Sequence, residues 1–201
     1  MPWPDRIRLP LSFDATELGA ALASLEGTDW TDHFVTRNYE GRWTAIALRA
    51  PAGTEHLHPV LQITSHPGTT AYADTPALDR APYLRSVLDA FGCPLGAARL
   101  MRLDPGSVIL THRDPDLDGD GDGDCVRLHV PLRTNPGVAF LLNDRRVIMA
   151  PGECWYLRLS DPHSVRNDGD TPRVHLVIDT PIGPALRALL DAGAQTAAIG
   201  R

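Results

Sequence analysis

Lysine is absent from this chain of 201 residues, so all 19 cationic side chains are arginine. Without lysine there is no P-loop phosphate clamp, no Schiff-base chemistry and no pyridoxal-phosphate attachment. Cysteine is scarce as well. Cys93, Cys125 and Cys154 are widely spaced and form no C-x-x-C, which excludes a disulfide framework and a structural zinc site. A reducing cytoplasm is the expected compartment. No apolar run approaches the roughly 18 residues of a membrane span, and the opening MPWPDRIRLP has no apolar stretch of the secretory kind. A net charge of -6 speaks against nucleic acid as a partner.

What is present is ordinary for a globular protein, with 43% apolar and 22% charged residues. Helix signals are few. Asp14-Ala-Thr-Glu17 is a capping-box pattern ahead of an apolar stretch ending near Gly27. Pro82 opens a second helix that runs to Phe91, with Gly92 as its C-cap, and a third runs from Pro184 to about residue 194. Between residues 97 and 179 the chain reads as short strands: 98–103, 107–112, 126–132, 138–142, 147–149, 154–159 and 173–178. Turn signals such as Asp104-Pro105-Gly106 and Asn135-Pro136-Gly137 separate them. Earlier strands are expected at 43–49 and 56–63. Many short strands at this spacing predict a mainly β fold with flanking helices, a jelly roll. The expected layout is one domain over 1–201. A helical and strand N-terminal part, 1–96, packs on a metal-binding jelly-roll core, 97–180, and 181–201 closes it with a helix.

The acidic run Asp116–Asp124 resembles a calcium loop only superficially. Counted from Asp116 or Asp118, position 12 is Arg127 or His129 rather than glutamate. It is expected to be a solvated loop between two strands, placed where a lid over a site could lie. His56, His58 and His66 have prolines beside two of them and no suitably spaced carboxylate, so they are not read as a metal site.

Chemistry concentrates elsewhere. In Thr111-His112-Arg113-Asp114, residues i and i+2 share a strand face, so His112 and Asp114 can reach one cation. With a second imidazole they would form the facial triad of non-haem iron(II) oxygenases. H-x-D alone is weak, since about one occurrence is expected by chance here. Two strands strengthen it. In 173–178, Arg173 and His175 face one way and Val174, Leu176 and Ile178 the other; in 126–130, Arg127 and His129 oppose Val126, Leu128 and Val130. Strands with an apolar face and an Arg–His face imply a polar cavity, and guanidinium binds carboxylates bidentately. The pair suits a small dicarboxylate.

The stretch 99–180 resembles the aspartyl/asparaginyl β-hydroxylase family, including its bacterial proline cis-hydroxylase branch. The resemblance is carried by Arg99-Leu-Met-Arg-Leu-Asp-Pro-Gly106, Thr111-His-Arg-Asp114, Arg127-Leu-His-Val-Pro-Leu132, Gly152-Glu-Cys-Trp155, His163-Ser-Val-Arg-Asn167 and Arg173-Val-His-Leu-Val-Ile-Asp179, in that order and spacing. Trp30-Thr-Asp-His33 and Trp43 are weakly similar. The resemblance implies an iron(II)/2-oxoglutarate dioxygenase on a double-stranded β-helix, cupin-like in form. His112, Asp114 and His163 would bind iron and Arg173 the distal carboxylate of 2-oxoglutarate. His129 would contact the carboxylate beside the metal, and Arg127 would lie at the pocket wall on a cosubstrate or substrate carboxylate. Some members carry glycine where this chain keeps Asp114, and some a serine where it has Met101. The retained carboxylate favours the proline-hydroxylase-like branch or the bacterial peptide-modifying members. The implied reaction is dioxygen-dependent hydroxylation of an amino acid, free L-proline first. Asp or Asn in a short peptide, a peptide natural product included, is the alternative, and a cupin-like metal protein that is not an oxygenase is the rival outside the class. Oligomeric state is left open.

Overall fold

The computed structural model describes residues 3–25, 27–28, 30–64, 69, 71–114, 117 and 125–199. Apart from Leu117, the acidic run considered as a lid lies outside the described residues, as does His66. Among the described residues the strands are β1 (Arg6–Ser12), β2 (Thr31–Asp32), β3 (Tyr39–Glu40), β4 (Trp43–Pro51), β5 (Tyr72–Asp74), β6 (Ala97–Leu103), β7 (Val108–His112), β8 (Cys125–Arg133), β9 (Val138–Leu142), β10 (Arg145–Val147), β11 (Glu153–Leu157), β12 (His163–Asn167) and β13 (Arg173–Pro181). Helices are α1 (Ala15–Ser24), α2 (Pro59–Ile63), α3 (Pro76–Asp79), α4 (Pro82–Asp89) and α5 (Pro184–Ile199).

Two antiparallel sheets face each other. The larger runs β1-β11-β8-β13-β6-β4-β2, with β5 on β4, and the smaller runs β10-β9-β12-β7-β3. This is the jelly-roll form of the double-stranded β-helix. The alternation read from β8 and β13 explains how the larger sheet is covered. Val126, Leu128, Val130, Leu176 and Ile178 pack outward against Leu18, Leu22, Leu84, Leu88, Leu186 and Leu190 of the helices. The opposite face meets the smaller sheet in a second core that includes Trp43, Met101, Leu103, Phe140, Leu142 and Val177. Polar residues of the same strands therefore point into the barrel.

Local chemistry sets the element ends. The Asp14 carboxylate accepts the Thr16 and Glu17 N–H groups at 2.7 and 3.1 Å, starting α1 as the capping pattern requires. Pro82 occupies the first turn of α4, where its missing N–H costs nothing. Residues 56–63 are not the expected strand. His58 Nδ1 accepts the Val60 N–H at 3.3 Å and Pro59 follows it, which together start α2. The strand expected at 147–149 sits earlier, at β10, because Asn143 and Asp144 both adopt positive φ, 51° and 57°. They close a two-residue turn that pairs Leu142 with Arg145. Strands β1 and β12 were not anticipated from the sequence. Among the described residues no helix is long and apolar enough to cross a membrane.

The smaller sheet carries one irregularity, between β7 and β12. His163 is paired with His112 and Val165 with Ile109, so β7 spends three steps where β12 spends two. This bulge reverses the alternation, allowing Ile109 and His112 to face the same interior although they are an odd number apart.

Leu128 is fully buried between sheet and helices. Its replacement by alanine should lower the unfolding free energy by about 2–5 kcal/mol, measured by urea denaturation, with metal binding by the refolded protein unchanged.

Candidate metal centre

His112 ends β7, His163 begins β12 and Asp114 lies two residues past β7, where its N–H donates to the Leu159 carbonyl at 2.8 Å. One donor atom from each of the three lies within 4.8 Å of the others. His112 Nε2 is 3.7 Å from Asp114 Oδ1, and the imidazole centroids of His112 and His163 are 4.2 Å apart. Each ring is oriented from behind: His112 Nδ1 lies 2.7 Å from the Leu110 carbonyl and His163 Nδ1 3.0 Å from the Asp161 carbonyl. A carbonyl only accepts, so Nδ1 carries a proton in both rings and Nε2 is left as the candidate ligand atom. Burial pushes the pKa of His163 down to about 4, which keeps its Nε2 lone pair at neutral pH. Two imidazoles and one carboxylate whose donor atoms lie this close together suit a divalent transition metal.

Asp114 is held by Arg127, whose Nη1 donates to Oδ2 at 2.7 Å. The other side of that guanidinium grips Asp179, with Nε on Oδ1 at 2.6 Å and Nη2 on Oδ2 at 2.8 Å, and Arg99 donates to the same Asp179 Oδ2 at 2.8 Å. Burial opposes the charge on Asp179, but Arg127 and Arg99 together hold its carboxyl well below the usual range. Burial likewise disfavours the Arg127 cation, and the two carboxylates reverse that effect. Arg127, read from sequence as a pocket-wall cation for a ligand carboxylate, thus pairs here with two carboxylates of the chain itself.

Arg173 is different. It is 2% exposed, and among the described residues no carboxylate pairs with it. Its Nη2 donates to His175 Nδ1 at 2.8 Å, Phe140 lies under its guanidinium at 5.9 Å, and its Nε has no partner. Burial pulls its pKa down to about 9. His129 is equally bare. It is 4% exposed, and neither ring nitrogen has a hydrogen-bond partner. Register puts His129 opposite Val177 and Trp155, and Arg127 opposite Asp179, so all of them face the barrel. Buried donors left without acceptors are costly, and an anionic ligand would complete them.

A wall of rings adjoins the centre. His33 stacks on Trp43 at 3.6 Å and on Phe34 at 4.8 Å, with Tyr39 edge-on to Trp43 at 5.7 Å. Burial first, then the positive charges of Arg127 and Arg99, push the pKa of His33 down to about 3. The Trp43 Nε1 is buried without a partner. Trp155 packs into the barrel with its Nε1 on Glu153, 2.9 Å away.

Sequence reasoning missed Asp179 and Arg99 as members of this site. The signal for Asp179 was available, since the polar face of β13 continues with period two from Arg173 through His175 and Val177 to Asp179. The Arg99 position needed the β6–β13 register, in which it opposes Val177.

With this geometry in place, comparison with known proteins gives a family. Residues 15–181 match the family model described as aspartyl/asparaginyl beta-hydroxylase. The chain belongs to this family. L-proline cis-4-hydroxylase of Rhizobium meliloti (strain 1021) is 32% identical over 172 residues, covering 84% of this chain and 58% of that protein. L-proline cis-3-hydroxylase 2 of a Streptomyces species is 27% identical over 175 residues, covering 84% and 57%. The match thus spans less than two thirds of either relative's length. A Burkholderia pseudomallei oxidoreductase of the 2OG-Fe(II) oxygenase family has the same fold, with a TM-score of 0.53 at 16% identity over 88% of this chain and 85% of that one.

This geometry has two measurable consequences. Asp114→Ala should abolish tight iron(II) binding in an anaerobic titration. Arg127→Leu, which keeps the ligands but releases the carboxylate, should weaken binding roughly 10–100-fold; unchanged affinity would remove Arg127 from any role in orienting Asp114. The second concerns pH. His33, His129, His163 and His175 all have folded pKa values below the unfolded value of 6.5, each chiefly through burial. The unfolded chain therefore binds more protons below pH 6.5, and stability is full above that pH and is lost as pH falls toward 4. Urea unfolding of metal-free protein at pH 7.5, 6 and 5 should show a slope of more than one proton taken up on unfolding.

Proposed function

We propose that this chain is an iron(II)/2-oxoglutarate-dependent dioxygenase that hydroxylates an amino acid, with free L-proline as its first substrate. The observation that carries the reading is Arg173: a buried guanidinium with no carboxylate partner among the described residues, in one barrel with the His112, Asp114 and His163 triad. A metal protein of the same fold that is not an oxygenase would need no dicarboxylate clamp, and Arg173 argues against it. In this reading the triad holds iron(II), Arg173 pairs with the distal carboxylate of 2-oxoglutarate, and His129 donates to the carboxylate beside the metal. Iron(II) with 2-oxoglutarate and dioxygen supplies the oxidising power for hydroxylating a C–H bond, with release of succinate and carbon dioxide.

The chain's own groups do the placing. Arg127 occupies Asp114 Oδ2 and leaves Oδ1 to face the metal position. The His33–Trp43 stack supplies an aromatic side to the site. A free amino acid needs a cation for its carboxylate and an anion for its ammonium group, whereas Arg99, Arg127 and Asp179 are already paired with one another beside Asp114. The two proline hydroxylases among the relatives support L-proline as the substrate. The cysteines Cys93, Cys125 and Cys154 are all free thiols, which supports a reducing, cytoplasmic setting.

The reading is tested by anaerobic visible spectroscopy of the iron(II)-loaded chain. Adding 2-oxoglutarate should give a weak metal-to-ligand charge-transfer band, absent in Arg173→Ala at the same concentration. In air, L-proline should then drive succinate release. A band with succinate released only in the presence of Asp- or Asn-containing peptides would move the substrate to a peptide. Absence of the band in protein shown to hold iron would overturn the dioxygenase reading.

A further inference from the structure

The short segment 158–162 joins β11 to β12 and supports two of the three triad residues through its carbonyls. Leu159 accepts the Asp114 N–H at 2.8 Å, and Asp161 lies 3.0 Å from His163 Nδ1. Between them, Ser160 accepts Arg113 Nη1 at 2.9 Å. The next carbonyl, that of Pro162, accepts the Asn143 N–H at 3.0 Å. The places of Asp114 and His163 therefore depend on where this one segment lies. Asn143 fixes it from outside. Its Nδ2 donates to Asp161 Oδ2 at 2.8 Å and to Asp5 Oδ2 at 3.0 Å. Arg158 closes the ring, with Nε on Asp161 Oδ2 at 3.1 Å and its N–H on the Asp5 carbonyl at 2.8 Å.

Asp5 immediately precedes β1 of the larger sheet, and Asn143 immediately follows β9 of the smaller one. Leu142, the residue before Asn143, is the ladder partner of His163. One amide thus ties the two sheets together next to a candidate metal ligand. The turn does not account for that amide. Asn143 has φ 51°, and glycine meets a positive φ at lower cost. Asparagine adds one NH2 group, and here both of its N–H bonds go to carboxylates. We infer that Asn143 is a positioning residue for the metal centre. It sets the place of segment 158–162, and through the Leu159 and Asp161 carbonyls it holds Asp114 and His163 in mutual register. The inference rests on the triad as a metal site and is independent of the cosubstrate and substrate. Ligand geometry tunes metal affinity, so a supporting segment that can shift weakens binding in a chain that still folds.

Metal binding by Asn143→Gly tests the inference without turnover. The substitution keeps the turn and the N–H bond to Pro162 and removes the amide alone. Anaerobic titration should show iron(II) affinity weakened about tenfold, the low end of the ~10–100-fold range for groups that orient metal ligands. The visible bands of the cobalt(II)-loaded variant should differ from those of wild type, a readout that a loss of stability alone does not move. Asn143→Asp has nearly the same shape and tolerates the same backbone, but sets a third carboxylate against Asp5 and Asp161. At pH 7.5 it should bind iron(II) more weakly than the glycine variant. Folded Asn143→Gly with wild-type affinity and a wild-type cobalt(II) spectrum would overturn the inference, whatever its urea midpoint, because that is the pattern of a residue that only joins two sheets. If the glycine variant does not fold, the aspartate variant decides by the same two readouts. If wild-type protein binds neither metal, the reading of the triad falls and this inference with it.

Discussion

One guanidinium bears on nearly everything inside this barrel. Arg127 grips Asp179 with two nitrogens and Asp114 with the third, so a carboxylate beside two metal-facing imidazoles is tied to the centre of the larger sheet. Burying such charges separately would be prohibitive, and burying them as a paired, hydrogen-bonded set is tolerable. The arrangement also settles a competition. Without Arg99 and Asp179, Arg127 would be a free buried cation and a rival to Arg173 for any incoming anion. With them, Arg173 is left as the buried arginine in the barrel that no described carboxylate satisfies.

The layout of the fold was legible where a single strand carries two different demands. In β8 and β13 one face must pack helices and the other must hold charge, so period two separates Leu128 from His129 and Leu176 from His175 in plain view. The caps at Asp14 and Pro82 were legible for a similar reason, because the backbone there needs one kind of residue. Strand β1 is hidden by its proline-rich setting, and α2 reads as a strand because the histidine that caps it, His58, is not a residue type that usually signals a helix start. At the site, residue types announced themselves, and pairings did not. His112, Asp114, His163, Arg173, His129 and Arg127 all face one interior, yet nothing in the order of residues says that Arg127 would be held by Asp179. Such contacts depend on the register between strands distant in sequence, and register is decided by the whole sheet.

The charges lining the barrel also link its ligands. In the linked set around the triad and Arg173, Arg99, Arg127 and Arg173 carry three positive charges against two on Asp114 and Asp179. A dication bound at the triad would enlarge that surplus, and a dianion on Arg173 would bring it back down. A metal at the triad and a diacid on Arg173 would therefore favour one another through the field they share, and by linkage each would strengthen the other to the same degree. A zwitterionic amino acid adds no net charge and leaves that balance undisturbed.

The bulge in β7 gives strand length an unusual meaning. In a regular ladder, an added or lost residue in a loop changes little that the core can feel. Here the interval from Ile109 to His112 is odd, and only the extra residue between them turns the imidazole inward. The coordination geometry is therefore written in a residue count as well as in residue types. A chain with every ligand present but a β7 of the wrong parity would carry the motif and have its histidine facing solvent. Spacing between motifs, commonly treated as filler, is in this strand part of the ligand set.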